Sequence, residues 1–332
     1  MSDVTIVGAG GIGCALGHAL RAGGVDVTFV ECDHERLRWG RANGVAVDDE
    51  QPLPATFIDF DNWQPSPSDL LLLCTKCYDN AEVLRRVPPS ADVIPVQNGF
   101  DAALVDRVEV EGIASFVSEC LPGRTHTRIT RPGDLHIGFQ DAVDARAFPG
   151  RVSALVDVLE RHGRFTVRRV DEILPYKNSK LMYNAAISPV AAMAGLDNGE
   201  LLAIPAARRI FFGLLRENYR ILKDAEVPLA KIGPFHPDTV DRILRYPLVA
   251  RVLAVPFERT LRGTYCSMAG DLQTGRSEMD NYNGHLLKLA GNADVPLNRM
   301  VFDLAKRMES DRAEPGLERL DGLLNPENLG MV

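Results

Sequence analysis

The sequence contains no apolar run that approaches the length of a membrane-spanning helix. Its longest apolar runs, such as Leu70–Cys74 and Val252–Phe257, fall far short of the roughly 20 residues that a bilayer requires. The N-terminus also lacks the basic segment and apolar region of a secretory signal, because a predicted strand follows Ser2 and Asp3 directly. We therefore expect a cytoplasmic protein that does not contact a membrane.

An excess of basic residues and a cysteine framework are also absent. The chain has 45 acidic and 37 basic residues, a net charge of −8, and such a surface repels phosphate backbones, which argues against a nucleic-acid partner. Six scattered cysteines without a framework spacing predict reduced thiols. Cys74 and Cys77 form C-T-K-C, but no second pair or nearby histidines accompany them, so we expect no metal.

What is present is enough apolar sequence for two cores, because 45% of the 332 residues are apolar. In the first 170 residues, short buried strands alternate with helices, which predicts a parallel, doubly wound Rossmann-type sheet of the α/β class. The predicted strands are Val4–Val7, Val25–Val30, Leu70–Cys74 and Val93–Pro95, and the helices between them are Gly13–Ala22 and Asp79–Val87.

Three further strands, a helix and a last strand complete the predicted first domain. The turn Arg131-Pro-Gly-Asp134 predicts a hairpin at the sheet edge between the second and third of these strands. The strands are Ile113–Ser118, His126–Thr130 and Leu135–Phe139, followed by a helix at Arg151–His162 and a strand at Phe165–Val170.

After Ile173 almost every long segment has helical periodicity, so the second domain is predicted to be all-helical. The expected division is a dinucleotide-binding domain over residues 1–172 and a helical substrate-binding domain over 173–332. The predicted helices are Lys180–Ala194, Leu201–Ala225, Thr239–Tyr246, Gly284–Ala290 and Val301–Glu309.

A glycine-rich stretch directly follows the first strand and opens the first helix. Glycines in the pattern G-x-G-x-x-G allow a tight turn, a close approach to a pyrophosphate and close helix–strand packing, while the helix N-terminus attracts the phosphates. We therefore predict a dinucleotide site that includes Gly8, Ala9, Gly10, Gly11, Ile12 and Gly13.

Glu31 lies eighteen residues beyond Gly13, at the end of the second strand. A carboxylate at this place accepts hydrogen bonds from the ribose hydroxyls and repels a 2′-phosphate, so NAD is favoured. NADP stays open as a cofactor, because Arg36 and Arg38 follow on the next helix.

Polar residues also recur where buried residues are expected. Lys180, Asn184 and Ser188 are spaced by four and share one helix face. A second polar cluster between two helices runs from Thr264 to Gly284 and includes Glu278, which could face Lys180 across a cleft. In the first domain, Thr75-Lys76 and Gln97-Asn98 follow neighbouring strands at their carboxyl ends, where open α/β sheets bind ligands.

Taken together, these segments resemble the ketopantoate reductase family over nearly the whole chain. The resemblance rests on the order and spacing of several motifs rather than on any one of them. They are GAGGIG, T-K-x-Y-D at Thr75–Asp79, Q-N-G at Gln97–Gly99, K-L-x-x-N at Lys180–Asn184, N-G-E-L at Asn198–Leu201, and S-M-x-x-D…G-R…E-x-D…N-G from Ser267 to Gly284.

The resemblance implies reduction of a 2-oxo acid, most plainly 2-dehydropantoate in pantothenate biosynthesis, at a site between the two domains. Lys180 matches the family's general acid, Glu278 the acid that orients it, and Asn98 the side chain beside the nicotinamide. Thr75 and Lys76 match cofactor-side positions. The implied substrate-binding residues are Asn184, Ser188, Asn198 and Ser267.

Three departures from the family pattern affect these expectations. Glu31-Cys32-Asp33 stands where members often carry an arginine for the NADPH 2′-phosphate, Ser188 stands where a second asparagine is common, and the Ser267–Glu278 segment is one residue shorter than usual. The first departure supports NAD, whereas the other two affect the substrate.

Several alternatives stay open from the sequence. The chain could be a paralogue that oxidises a different hydroxy acid with NAD⁺, a non-catalytic dinucleotide sensor, or an opine-type dehydrogenase, which would need His236 or His285. The expected partner is a small carboxylic acid, and self-association into a homodimer is left open.

Overall fold

The computed structural model describes residues 3–141 and 147–324. The chain divides into two compact units, Met1–Leu174 and Pro175–Val332. The assignment of cofactor binding and substrate binding to two domains that meet at residue 172 stays a prediction.

A five-stranded parallel sheet forms the centre of the first unit, in the order β4-β2-β1-β5-β6. This order is that of a doubly wound sheet, and it confirms the predicted Rossmann-type fold. The strands are β1 Val4–Val7, β2 Val27–Glu31, β3 Ala46–Val47, which lies outside this sheet, β4 Thr56–Asp59, β5 Leu70–Leu73 and β6 Asp92–Pro95, and the helices are α1 Gly11–Ala22, α2 His34–Asn43, α3 Asn80–Arg86 and α4 Gly150–His162.

Both faces of this sheet are buried, which explains why its strands have continuous apolar sequence. Leu70 and Leu72 of β5 belong to a core that includes residues of α1 and α4. Leu71 and Leu73 point to the opposite face and belong to a second core with Val83 of α3.

Three more strands continue from the sheet through a parallel bridge between Val96 and Gly112. They are β7 Val110–Ala114, β10 Asp134–Phe139 and β11 Thr166–Glu172, with β10 antiparallel to β7 and parallel to β11. A separate small sheet contains β3, β8 Val117–Cys120 and β9 His126–Arg131.

The predicted hairpin between the strands His126–Thr130 and Leu135–Phe139 is wrong. β9 pairs with β8, and β10 pairs with β7, so the Pro-Gly turn carries the chain from one sheet to another. The predicted strand Ile113–Ser118 is also two strands, which separate where Phe116 turns inward and stacks on Phe165 at 4.7 Å between ring centroids. Ser115 stays on the β7 side, because its N–H donates to Asp134 O at 2.7 Å.

The described residues of the second unit form helices and loops and contain no strand. The predicted helix Leu201–Ala225 is two helices, because Ile204 is extended and Pro205 opens the second at its first turn. The helices are α5 Leu174–Ala194, α6 Asn198–Ala203, α7 Pro205–Asp224, α8 Pro237–Leu244, α9 Pro247–Thr260, α10 Asp271–Thr274, α11 Asn283–Ala290 and α12 Pro296–Asp311. No helix in the described part of the chain combines the length and the apolar character needed to cross a bilayer.

A proline inside α5 determines how another helix packs against it. Pro189 has no N–H to donate to the carbonyl of Ala185, four residues earlier. Asn283, the first residue of α11, donates its Nδ2 to Ala185 O at 2.9 Å. The carbonyl that the proline leaves unpaired within the helix is therefore satisfied by a side chain from α11.

Buried asparagines extend this contact through the unit. Asn298 of α12 accepts from Asn283 Nδ2 at 2.9 Å and donates to Asn218 Oδ1 of α7 at 2.8 Å. Asn218 in turn donates to Met182 O of α5 at 3.0 Å. These bonds fix α7, α11 and α12 around the middle of α5.

Candidate functional site

The glycine turn between β1 and α1 is shaped to accept a phosphate group. Gly8 has φ of +99°, and a Cβ on Gly13 would lie 2.0 Å from Gly8 O, so neither position accepts a side chain. Gly10 has open space where its side chain would be, and α1 begins behind it without a side-chain cap. The first N–H groups of a 12-residue helix are therefore available to an anion.

The carboxylate of Glu31 is bound to the backbone of this turn. It is buried, and its Oε2 accepts from the Ala9 N–H at 3.0 Å. Its Oε1 accepts from the N–H groups of Cys32 at 2.8 Å and Asp33 at 3.0 Å. The structure thus brings Glu31 together with the glycine motif, and it gives the residue a structural task that the sequence did not reveal.

Ser118 of β8 is a candidate that sequence reasoning missed. Its backbone oxygen would lie 2.7 Å from a Cβ on Gly11, so the strand lies against the first turn of α1. Its Oγ is buried and has no hydrogen-bond partner among the described residues. No sequence signal would have found it, because it lies on a different strand about a hundred residues away.

The carboxyl ends of β5 and β6 are joined by two buried amides. Gln97 Nε2 donates to Asn80 Oδ1 at 2.7 Å and to Thr75 O at 2.8 Å, while Asn80 Nδ2 donates back to Gln97 Oε1 at 3.1 Å. This pair fixes the backbone next to Lys76 and Asn98, two of the predicted cofactor-side residues. Asn80 was not predicted, since an asparagine at the start of a helix ordinarily indicates a cap.

In the helical unit, α5 carries three of the predicted residues on successive turns. Lys180 and Asn184 are half-buried, and Ser188 is buried. The Ser188 carbonyl accepts from Cys266 Sγ at 3.5 Å, which brings the residue before Ser267 to the same part of α5.

The polar loop between α9 and α11 brings Ser267 and Glu278 together through a residue that the sequence analysis did not name. Tyr282 is fully buried, and its Oη donates to Glu278 Oε2 at 3.2 Å and lies 2.9 Å from Ser267 Oγ. Within this loop, Gly270 and Gly275, both with left-handed backbone conformation, bracket the four-residue α10.

Asn198 is the first residue of α6, and only one of its two polar side-chain atoms has a hydrogen-bond partner among the described residues. Its Nδ2 donates to Thr264 Oγ1 at 3.2 Å, and its N–H donates to Thr264 O at 2.9 Å. Its Oδ1 is buried and has no hydrogen-bond partner among the described residues. A buried acceptor of this kind costs free energy until a donor reaches it.

The helical unit contains two histidines, His236 and His285, and their surroundings differ. His236 caps α8, because its Nδ1 accepts from the Asp238 N–H at 3.3 Å. Burial, together with the charges of Lys288 and Lys177, lowers the pKa of His285 to about 4, so its ring is neutral near pH 7. Within the described residues, no group of three or more histidine, cysteine, aspartate or glutamate side chains could hold a metal ion.

Comparisons with known proteins agree with this description. The family model described as "Ketopantoate reductase PanE/ApbA" matches residues 4–145, and the model described as its C terminal matches residues 172–309. A 2-dehydropantoate 2-reductase from Halobacterium salinarum is 26% identical over 326 residues, which cover 93% of this chain and 99% of the relative.

Two solved structures are similar in fold. The ternary structure of D-mandelate dehydrogenase with NADH and anilino(oxo)acetate has a TM-score of 0.74 at 17% identity and covers 93% of this chain and 99% of its own. A dimeric ketopantoate reductase from Staphylococcus aureus has a TM-score of 0.67 at 14% identity and covers 94% of this chain and 100% of its own. The chain therefore belongs to the ketopantoate reductase family and is an oxidoreductase that acts on a CH–OH group.

Proposed function

We propose that this protein reduces 2-dehydropantoate to pantoate with NADH. The observation that carries the proposal is the alignment of Lys180, Asn184 and Ser188 along one face of α5. The same unit holds the buried carboxylate of Glu278, which is kept in position by Tyr282. A half-buried lysine that shares its helix face with other polar side chains is suited to proton transfer rather than to core packing.

The residues of the glycine turn fit a nicotinamide dinucleotide. Its pyrophosphate would be held by the free N–H groups of α1 and by Ser118 Oγ, which lacks a partner among the described residues. Glu31 favours NAD, because its charge lies at the turn and opposes a 2′-phosphate. When bound, the dinucleotide supplies the hydride for the reduction.

Lys180 has the role of general acid in this proposal. Its ammonium donates a proton to the 2-oxo oxygen of the substrate as that oxygen gains negative charge. Glu278 keeps the ammonium oriented. Asn98, which follows β6, would hold the nicotinamide ring beside the substrate carbon that receives the hydride. In the reverse direction Lys180 accepts the same proton.

The remaining polar residues bind the substrate. The free Oδ1 of Asn198 would accept a hydrogen bond from the hydroxyl of the substrate. Ser267 and Asn184 supply donors for its carboxylate, and Ser188 contributes a shorter side chain than the asparagine common in the family. Lys76 and Thr75 belong to the cofactor side of the site.

A second candidate is the NAD⁺-dependent oxidation of a different 2-hydroxy acid. The fold similarity to D-mandelate dehydrogenase, whose structure contains NADH and an oxo-acid analogue, favours it. So does Ser188, because it replaces the longer amide side chain that is common in the family at a proposed substrate-binding position.

We further propose that the protein forms a homodimer through α9, as its relative from Staphylococcus aureus is dimeric. Leu248 is 79% exposed and Val252, one turn later, 69% exposed, with Tyr246, Val249 and Val255 beside them. A contiguous apolar face of this kind on a soluble chain marks an interface, and one helix can pair with its own copy about a twofold axis.

The substrate is tested with purified protein, a panel of 2-oxo and 2-hydroxy acids, and both NAD(H) and NADP(H), followed by absorbance at the nicotinamide band. We expect 2-dehydropantoate with NADH to give a kcat/KM of about 10⁴ M⁻¹ s⁻¹ or more. Turnover of another acid without any of 2-dehydropantoate would support the second candidate instead. No turnover with any acid would favour a dinucleotide sensor.

The role of Lys180 is tested by Lys180→Ala and Lys180→Arg. Both should lower kcat by about 10²-fold or more while the Kd for NADH stays unchanged, because arginine keeps the charge but does not release a proton. Stopped-flow turnover and NADH fluorescence measure the two quantities. Lys223→Ala, on the surface of α7, is the matched control. Full activity in Lys180→Arg would contradict the assignment.

The preference for NAD is tested by Glu31→Gln, which removes the charge but keeps an oxygen acceptor for the Ala9 N–H. The ratio of the Kd values for NADPH and NADH should fall about five- to tenfold, the size of one charge–phosphate interaction near a surface. Glu82→Gln on α3 is the control. An unchanged ratio would show that Glu31 does not select the cofactor.

The homodimer is tested by light scattering of the native protein and of Val252→Glu. The native protein should have twice the mass of one chain, and the variant should have the mass of one chain, since a charge in an apolar interface is not solvated. Leu317→Glu, an exposed apolar position outside α9, should leave the dimer intact. A monomeric native protein would refute the interface.

A further inference from the structure

Two cysteines that are distant in sequence meet at the glycine turn. Cys14 of α1 and Cys120 of β8 both donate from Sγ to the carbonyl oxygen of Ala9, at 3.2 Å and 3.7 Å. The two sulfurs therefore approach the same carbonyl oxygen. Cys120 Sγ lies in addition 3.1 Å from Arg124 O. They converge because β8 lies across the first turn of α1.

The two thiols have different surroundings, which give them different chemistry. Cys14 is fully buried, and burial raises the pKa of its thiol well above the usual range. The hydrogen bond from Cys14, followed by the charge of Arg36, lowers the pKa of the half-buried Cys120. Cys120 is therefore the thiol of the pair that ionises more readily and acts as the nucleophile.

We propose that Cys14 and Cys120 are an oxidisable pair, which hydrogen peroxide converts to a disulfide that weakens dinucleotide binding. The Cys120 thiolate attacks one peroxide oxygen, so an S–O bond forms, the O–O bond breaks, and the departing hydroxide takes a proton to become water. The Cys14 sulfur, losing its proton, then attacks the Cys120 sulfur and releases the second water. The two sulfurs lose two electrons, and the peroxide gains them.

The effect on the cofactor follows from the position of Ala9 in the turn. Its N–H is bound by Glu31 and its carbonyl by the two thiols. Disulfide formation removes both thiol protons, so the carbonyl loses its donors and the peptide is held from one side only. Since a net hydrogen bond contributes about 1 kcal/mol, we expect the Kd for NADH to rise about three- to tenfold.

The experiment treats reduced full-length protein with hydrogen peroxide, alkylates the remaining thiols and maps the peptides without reduction. A crosslinked peptide that joins Cys14 to Cys120, a higher Kd for NADH by fluorescence, and recovery of both by dithiothreitol support the proposal. Recovery of both cysteines singly alkylated would overturn it. A crosslink with an unchanged Kd would overturn the effect on binding.

Two variants separate this pair from other thiols. Cys120→Ser removes the sulfur that attacks peroxide, so its Kd for NADH should be the same before and after peroxide treatment. Cys32→Ser removes the cysteine after β2. Partial burial and the charge of Glu31 raise the pKa of that thiol to about 11, so this variant should respond to peroxide like the native protein. The effect on affinity rests on the proposed cofactor site, but the peptide map does not. Reduced protein that fails to bind NADH would therefore refute that site while the map still decides the crosslink.

Discussion

The first unit depends on the bond between a buried carboxylate and the middle of a glycine turn. Burial of an unpaired charge costs several kcal/mol, so Glu31 is stable at the end of β2 because three backbone N–H groups donate to it and the guanidinium of Arg36 lies 3.6 Å away. One of these donors belongs to Ala9, which lies between two glycines that lack any side chain to restrain them. The same carboxylate thus fixes the turn and supplies the negative charge at the ribose end of the proposed site.

The helical unit depends on a comparable constraint within α5. Pro189 leaves the Ala185 carbonyl without its helical donor, and Asn283 supplies the donor from α11. Asn283 directly follows Tyr282, which holds Glu278. An interruption of the helix therefore determines where the loop that carries the acid lies relative to the helix that carries Lys180. The buried amides of Asn298 and Asn218 then return to α5 at Met182, so the arrangement is fixed at two heights of the helix.

Local patterns in the sequence were sufficient for the central strands, α1, α4 and most of the helical unit, because each has a periodicity or a terminating residue of its own. β1 is Val4–Val7, as predicted. The hairpin prediction failed because a Pro-Gly turn specifies a bend but not the strand with which the next segment pairs. β4 was missed, and the helix after Glu31 was expected without bounds, since α2 buries only Leu37 and Gly40 and so has little apolar periodicity.

The candidate site was predictable only where the residues nearby in sequence indicate what a residue does. The glycine motif and the spacing of Lys180, Asn184 and Ser188 are of this kind. Asn80, Ser118 and Tyr282 take their roles from partners that are remote in sequence or from the shape of a loop, and no spacing rule brings them together. The pairing of Cys14 with Cys120 belongs to the same class, because it arises only when β8 crosses the start of α1.

Arg36 shows how a residue's role changes with the charged groups that lie close to it in the fold. As an isolated arginine after the second strand it could hold a 2′-phosphate, which is why the sequence left NADP open. In the structure its Nη1 lies 3.6 Å from Glu31 Oε2 and its Nε 3.8 Å from Asp33 Oδ2. The two carboxylates and the guanidinium together carry a net negative charge. A 2′-phosphate would therefore have to displace one of the carboxylates to reach Arg36. The charge of Arg36 also lowers the pKa of Cys120, so the residue stabilises anions of the protein itself.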